Sequence, residues 1–205
     1  MPPRSMSRLS KTPKPVWLLP HPVSHCTQHN FPALLVNLIY VSNGTAIIPA
    51  HFIAAFYRGT SLPSSIFSSF LSIPATSQLL GPQSYTSMAA AIGNGNTTGS
   101  GQLFGASAFN GPSEQYMNAF KQFKNFSISS IATGKVLGTV LAFTPILESQ
   151  IEAGRQRGGN AIDPPLGNYA AVQFFTEFVP GVTSVPPDIE IGRQAFFDKW
   201  VFACN

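Results

Sequence analysis

R-G-G-N-A-I-D, residues 157–163, joins a predicted helix at residues 145–156 to a predicted strand at residues 169–178. Gly158 and Gly159 allow positive φ angles after the helix, and they also allow another surface to approach the backbone closely. The amide of Asn160 can both donate and accept hydrogen bonds. The segment therefore predicts either a helix C-cap with a tight turn or a backbone platform for a planar ligand.

Strands and helices alternate along the chain on both sides of this segment. Hydrophobic patterning predicts two more strands, at residues 102–109 and 136–143. It also predicts helices that begin at or just after Pro63, Ser84, Ser113 and Pro187. The alternation is compatible with a parallel α/β sheet, and equally with an α+β layer that has helices on one face and a ligand surface on the other.

The predicted helix after Ser113 carries an aromatic stripe. Tyr116, Phe120 and Phe123 lie on one helical face because of their spacing. We expect this face to pack in a core shared with the strands at residues 102–109 and 136–143.

The composition indicates a folded domain with few charges. Charged residues make up 10% of the 205 residues, against about 25% in an average soluble protein. Apolar residues make up 44%, including 17 Phe, which is enough to form a core. Such a composition suits a secreted protein or a piece of a larger one.

The net charge of +4 does not indicate nucleic-acid binding. The basic residues concentrate at Arg4, Arg8, Lys11 and Lys14 and are scattered singly elsewhere. No basic face with interleaved aromatic residues is predicted, so nucleic acid is not an expected partner.

Residues 1–55 are predicted to be a poorly structured leader, because they are rich in proline and lack a regular period. His21, His25 and His29 recur every four residues, which on a helix would suit zinc. Pro20 and Pro22 make a helix improbable there, and no metal site is expected. Residues 32–57 are the most apolar run, but their polar and proline interruptions argue against a membrane-spanning helix.

Three N-glycosylation sequons are present, at Asn43, Asn96 and Asn125. Sequons also arise by chance in chains rich in serine and threonine. Asn96 is the strongest candidate on sequence grounds, because it lies in a loop of Gly, Asn and Thr that should be exposed.

Two further segments, taken together with G-G-N, carry a family resemblance. Residues 61–74 read S-L-P-S-S-I-F-S-S-F-L-S-I-P, and residues 142–147 read A-F-T-P-I-L. Across residues 57–199 the chain resembles the substrate domain of fungal berberine-bridge-enzyme-like FAD-linked oxidases, of the vanillyl-alcohol-oxidase-type flavoprotein superfamily. Thr144 departs from the pattern, because the family has a glutamine before the proline.

The resemblance implies a fold and an activity. The implied fold is α+β, with a mixed, largely antiparallel sheet and helices packed on one face. The implied domain organisation is a leader at residues 1–55, unlike the family, and an incomplete substrate-domain-like region at residues 56–205. The implied activity is FAD-dependent oxidation of an alcohol, amine or sugar carbon, in proteins that are typically secreted.

The resemblance also limits what the chain is expected to do alone. The family's flavin domain has no counterpart in these residues, so FAD is not expected to be held by this chain alone. The expected partners are a small-molecule substrate and a separate flavin domain. The alternative is a non-catalytic secreted or structural α+β protein that kept the fold and lost the chemistry.

Candidate substrate- or flavin-facing residues lie on the strand at residues 169–178. Alternation places Gln173, Phe175 and Glu177 on one face of the strand. It places Val172, Phe174 and Thr176 on the other. The more polar face is predicted to meet the ligand, together with the turn at Gly158, Gly159 and Asn160. No nucleophile elbow, Walker loop or G-x-G-x-x-G motif is present, and no catalytic residue is assigned.

Overall fold

The computed structural model describes residues 33–57, 59, 61–78, 81–92 and 99–201. Within these residues the chain forms six strands and five helices. In chain order they are β1 (Ala33–Ser42), β2 (Ile47–Pro49), β3 (Phe52–Phe56), α1 (Ser64–Leu71), α2 (Tyr85–Ile92), β4 (Gln102–Phe109), α3 (Ser113–Ala132), β5 (Val136–Ile146), α4 (Glu148–Arg155), β6 (Tyr169–Phe178) and α5 (Pro187–Val201).

The strands form one sheet in the order β2-β1-β5-β6-β4, and β3 also pairs with β1. Each strand pair is antiparallel. The predicted α+β fold is confirmed, and the parallel α/β alternative is wrong. Antiparallel pairing explains the weakly apolar strands, because an antiparallel sheet can leave one face in contact with water.

Helices α3 and α5 pack against one face of this sheet. Phe174 of β6 lies at the centre of the core and is fully buried. Its ring contacts Phe126 of α3 at 5.1 Å between centroids and stacks on Phe196 of α5 at 5.2 Å. Burial of aromatic side chains of this size is the main source of stability in such a core.

The aromatic stripe on α3 faces this core only in part. Phe123 is fully buried and contacts Phe174. Phe120 is half-buried, and its ring meets His51, which follows β2. Tyr116 contacts Phe109 of β4 and Phe143 of β5, as predicted. The helix is placed as expected, but Phe123 occupies the central position.

Gly105 of β4 allows α5 to lie close to the sheet. A Cβ atom at this position would lie 2.8 Å from both the Arg193 guanidinium and the Phe197 ring. Arg193 is held in place by Glu190, whose carboxylate accepts its hydrogen bond at 2.7 Å. A small residue is therefore needed at position 105.

The prediction of a poorly structured leader at residues 1–55 is wrong for residues 33–55. They form β1 to β3, and β1 pairs with β5 from Val36 to Val41. The sequence of β1 is apolar almost throughout, because strands flank it on both sides and part of each face is covered. Residues 1–32, with His21, His25 and His29, lie outside the described part of the chain.

The apolar run at residues 32–57 forms strands from residue 33 onward. Within the described residues, no helix combines the length and the hydrophobicity needed to cross a membrane. The polar cluster at residues 42–45 forms the turn between β1 and β2.

The helix predicted at residues 145–156 begins later, at Glu148. Residues 144–146 continue β5, and Ile146 pairs with Tyr169 of β6. Pro145 can occupy a strand here because continuous pairing with β6 overrides its preference for a first helical turn.

Candidate functional site

The sheet face opposite α3 and α5 is the candidate site. On β6 the alternation is complete: Phe174 and Thr176 are fully buried under the helices, whereas Gln173, Phe175 and Glu177 are partly exposed. The predicted division of β6 into a helix-covered face and a more polar face is therefore confirmed. We call this second face, on β4 and β6, the open face.

An aromatic pair occupies the centre of the open face. Phe104 of β4 lies directly opposite Phe175 of β6, and opposed residues of antiparallel strands share a face. Their ring centroids are 4.6 Å apart with a tilt of 48°. Phe104 is 50% exposed, which is unusual for a phenylalanine and leaves an aromatic edge available to a planar molecule.

Polar side chains lie on both sides of this pair along β6. Gln173 and Glu177 are each two residues from Phe175, or about 7 Å along the strand. The carboxylate of Glu177 accepts a hydrogen bond of 2.8 Å from the Ser100 hydroxyl through Oε1. A carboxylate has further lone pairs, so Glu177 can accept a second hydrogen bond from a ligand hydroxyl or ammonium group.

The backbone beside Glu177 is irregular. The β5–β6 register shifts between Val136 and Gly138, and Gly138 pairs with Glu177. A Cβ at Gly138 would lie 3.3 Å from the Tyr40 carbonyl oxygen, so β1 and β5 run close together here. Such bulges commonly redirect a side chain at a sheet rim, here beside the carboxylate.

The open face narrows toward β1. Ala142, which opposes Gln173, is buried, and so are Asn37 and Ile39 of β1. The exposed part of the face therefore lies on β4 and β6, around Phe104 and Phe175.

The G-G-N segment forms a helix cap. Gly158 and Gly159 have φ angles of 102° and 73°, and the Gly159 N–H donates to the Gly154 carbonyl at 2.9 Å. Oδ1 of Asn160 accepts hydrogen bonds from the N–H groups of Ile162 and Asp163. These contacts match the interpretation as a C-cap with a tight turn.

The turn shows no close approach by another surface of the described chain. A Cβ atom at Gly158 or Gly159 would have no neighbour within 4 Å. No hydrogen bond or ion pair joins the turn to Gln173 or Glu177 within the described residues. The structure does not bring these two groups of candidates together through polar contacts.

Two of the three sequons lie on elements other than β4 and β6, which carry the open face. Asn43 is in the exposed turn between β1 and β2, and Asn125 is an exposed residue of α3. Asn96 lies outside the described residues.

His51 has a structural role that the sequence did not indicate. Its Nδ1 accepts a hydrogen bond of 3.0 Å from the Ile39 N–H of β1, and its ring meets Tyr40 edge-on. The side chain remains exposed in part, and its partial burial lowers the pKa of the imidazole below its usual value, because desolvation disfavours the charged form. Within the described residues, no group of three or more His, Cys, Asp or Glu side chains is placed to hold a metal ion.

Phe104 is the site residue that the sequence reasoning missed. The strand was predicted correctly, but its exposed aromatic residue becomes informative only when the register sets it against Phe175. The sequence carries no clear signal for it, because residues 102–109 do not alternate between polar and apolar side chains.

No family model, curated protein or solved structure matches the chain. A proposal for its function therefore starts from the geometry of the open face.

Proposed function

We propose that this chain supplies the substrate-binding part of an FAD-linked oxidoreductase that acts on an alcohol, amine or sugar carbon. The observation that carries the proposal is the Phe104–Phe175 pair, exposed on a sheet face between Gln173 and Glu177. The resemblance to FAD-linked oxidases adds support, because it implies an antiparallel sheet with helices behind it and a ligand in front.

The open face has the composition of a small-molecule surface. Such sites combine apolar and aromatic area with a few polar groups that set the orientation of the ligand. Phe104 and Phe175 offer the aromatic area, and Ala106 of β4 adds a small neighbour opposite Gln173. Glu177 would accept the hydrogen bond of a substrate hydroxyl or amine, and Gln173 can donate or accept.

FAD would have to be held mainly by a second domain. Dinucleotide pyrophosphates are usually bound by a glycine-rich turn at the start of a helix, and no G-x-G-x-x-G motif occurs in these 205 residues. The bound flavin would supply the hydride acceptor. The residues of this chain would supply an apolar wall and polar groups that orient the carbon to be oxidised.

Ligand titration followed by NMR tests the proposal. Backbone amide shifts of the purified chain are recorded while aromatic alcohols, amines and sugars are added in turn. At least one class is expected to perturb residues around Phe104, Gln173 and Phe175 in a saturable manner. Perturbations confined to the α3 and α5 side, or none in any class, would contradict the proposal.

Two variants and a matched control locate the binding. Phe104→Ser and Glu177→Gln are expected to weaken the binding detected by NMR. Loss of a hydrogen bond to a charged group typically costs about 1.5–3 kcal/mol, which is about tenfold or more in Kd. Met117→Ala, on an exposed residue of α3, is the control and should leave the Kd unchanged.

A further inference from the structure

We propose that Asn43 is an N-glycan acceptor that remains available after the chain has folded, and that Asn125 is closed to modification by the fold. This inference is independent of the proposed oxidoreductase function. It separates two sequons that the sequence alone did not rank against each other.

The turn between β1 and β2 presents Asn43 in a defined geometry. Oδ1 of Asn43 accepts three hydrogen bonds: from the Thr45 N–H at 3.0 Å, the Thr45 hydroxyl at 3.0 Å and the Ala46 N–H at 2.8 Å. The Asn43 N–H donates to the Ala46 carbonyl at 3.2 Å. The two sequon side chains, amide and hydroxyl, are thus already in contact.

The nitrogen that would carry the glycan is left available. Three donors point at one atom of the amide, so that atom is the accepting oxygen Oδ1. The atom facing away from them is the nitrogen Nδ2. Nδ2 makes no hydrogen bond with the rest of the described chain. The three hydrogen bonds to Oδ1 hold the amide in one orientation.

The turn has room for a large substituent. Residues 43–46 are all exposed, and Gly44, at a φ of 88°, has nothing within 4 Å of the place a Cβ would take. An N-glycan is bulky and is tolerated only at the surface. Because the turn projects beyond β1, a glycan here would not displace any strand of the sheet.

The sequon at Asn125 has the opposite environment. Its hydroxyl residue, Ser127, is fully buried in α3. The Ser127 hydroxyl donates to the Phe123 carbonyl at 2.7 Å and accepts from the Thr139 hydroxyl at 2.7 Å. Residues two apart on a helix do not face each other, so this hydroxyl cannot contact the Asn125 amide while α3 is intact.

The reaction joins Nδ2 of Asn43 to C1 of the first sugar of a lipid-linked pyrophosphate oligosaccharide. The bond between C1 and the pyrophosphate oxygen breaks, and the lipid pyrophosphate leaves with the electron pair. Nδ2 loses one proton to solvent, and no oxidant or reductant is needed.

Glycosylation of the folded chain tests the proposal. The full chain carrying Asn96→Gln is produced without glycans in bacteria, purified folded, and incubated with a single-subunit oligosaccharyltransferase and its lipid-linked donor. Peptide mass spectrometry then gives the occupancy of each asparagine. We expect modification at Asn43 and none at Asn125, whereas chemically denatured chain should be modified at both.

Two substitutions of one exposed residue serve as a matched pair. Thr45→Ser keeps the hydroxyl and should retain the modification, whereas Thr45→Ala should abolish it, with circular dichroism unchanged in both. The proposal is overturned if folded chain is unmodified at Asn43 while a peptide of residues 38–50 is modified. Equal occupancy of Asn125 in folded and denatured chain would overturn its second part.

Discussion

Thr139 and Thr176 lie directly opposite each other on β5 and β6, yet only one of the two hydroxyls is hydrogen-bonded within the described chain. Thr139 donates to the Ser127 hydroxyl at 2.7 Å. Oγ1 of Thr176 is fully buried and has no partner there. A buried polar group without a partner destabilises the fold by about 1–3 kcal/mol, because it loses its hydration without compensation.

The same substitution at these two positions should therefore have opposite effects. Thr176→Val removes an uncompensated hydroxyl at nearly constant volume and should raise the free energy of unfolding by up to about 1 kcal/mol. Thr139→Val removes a formed hydrogen bond and should lower it by about 1 kcal/mol. Urea denaturation of both variants measures the difference, and equal effects would show that Thr176 has a partner.

Two glycine-to-alanine substitutions should also change the stability of the fold in opposite directions. At Gly105 the new methyl group would lie 2.8 Å from the Arg193 guanidinium and the Phe197 ring. Either these side chains or α5 must move, so the free energy of unfolding should fall by about 1–3 kcal/mol. Gly154 lies in α4 with nothing within 4 Å of the place that a methyl group would take, so alanine there should stabilise the helix by about 1 kcal/mol. Thermal unfolding compares the two, and a harmless Gly105→Ala would place α5 further from β4.

Two phenylalanine-to-alanine substitutions test which residue of α3 occupies the centre of the core. Phe123 is fully buried against Phe174, so Phe123→Ala should cost about 3–5 kcal/mol. Phe120 is half-buried beside His51, so Phe120→Ala should cost clearly less. Chemical denaturation gives both values, and a larger loss for Phe120 would mean that the helix is rotated.

The sequence predicted some strands with accurate bounds and missed others, and the difference has physical reasons. The bounds of β4 and β6 agree with the structure because hydrophobic patterning and flanking turn residues mark them. For β1 the pattern is nearly continuous, and its main partner, β5, follows only after α3. The β1–β5 pairing leaves no local signal, because the two strands are far apart along the chain. The Asn43-Gly44 turn between β1 and β2 is a short-range hairpin signal, and the prediction of a leader at residues 33–55 overlooked it.

Some features of the candidate site could also be predicted from the sequence, and others could not. The faces of β6 could be read from alternation alone, which placed Gln173 and Glu177 opposite the helices. The role of Phe104 could not, because it depends on the register between β4 and β6. The G-G-N turn forms the helix cap that was one of its two predicted alternatives, because helix termini follow local rules. A ligand-facing role for Gly158, Gly159 and Asn160 stays a prediction.

His51 should make stability depend on pH. Its pKa is lowered in the folded state by burial, so the folded state binds fewer protons than the unfolded state near the usual histidine value of 6.5. The free energy of unfolding is therefore unaffected by His51 above about pH 6.5. It decreases as the pH falls through that value toward the pKa of the folded state. His51→Asn keeps an acceptor for the Ile39 N–H but cannot titrate.

Urea denaturation between about pH 7.5 and 5.5 checks this effect. The wild-type chain should lose more stability over this interval than His51→Asn, and the other three histidines are common to both proteins. Identical pH profiles would mean that protonation of His51 is not linked to folding.

The proposed function predicts that the chain binds no flavin by itself. Purified after incubation with excess FAD, it should be colourless, without the flavin absorbance at about 450 nm, and should produce no peroxide from alcohols, amines or sugars. The physical reason is that the open face offers aromatic area and two polar side chains but no cradle of backbone N–H groups for a pyrophosphate.

A flavoprotein apoenzyme reconstituted in parallel controls for the quality of the FAD. Stoichiometric yellow protein with oxidase activity would contradict the assignment of the flavin to a second domain, whereas a colourless chain that still binds ligand at Phe104 would agree with it.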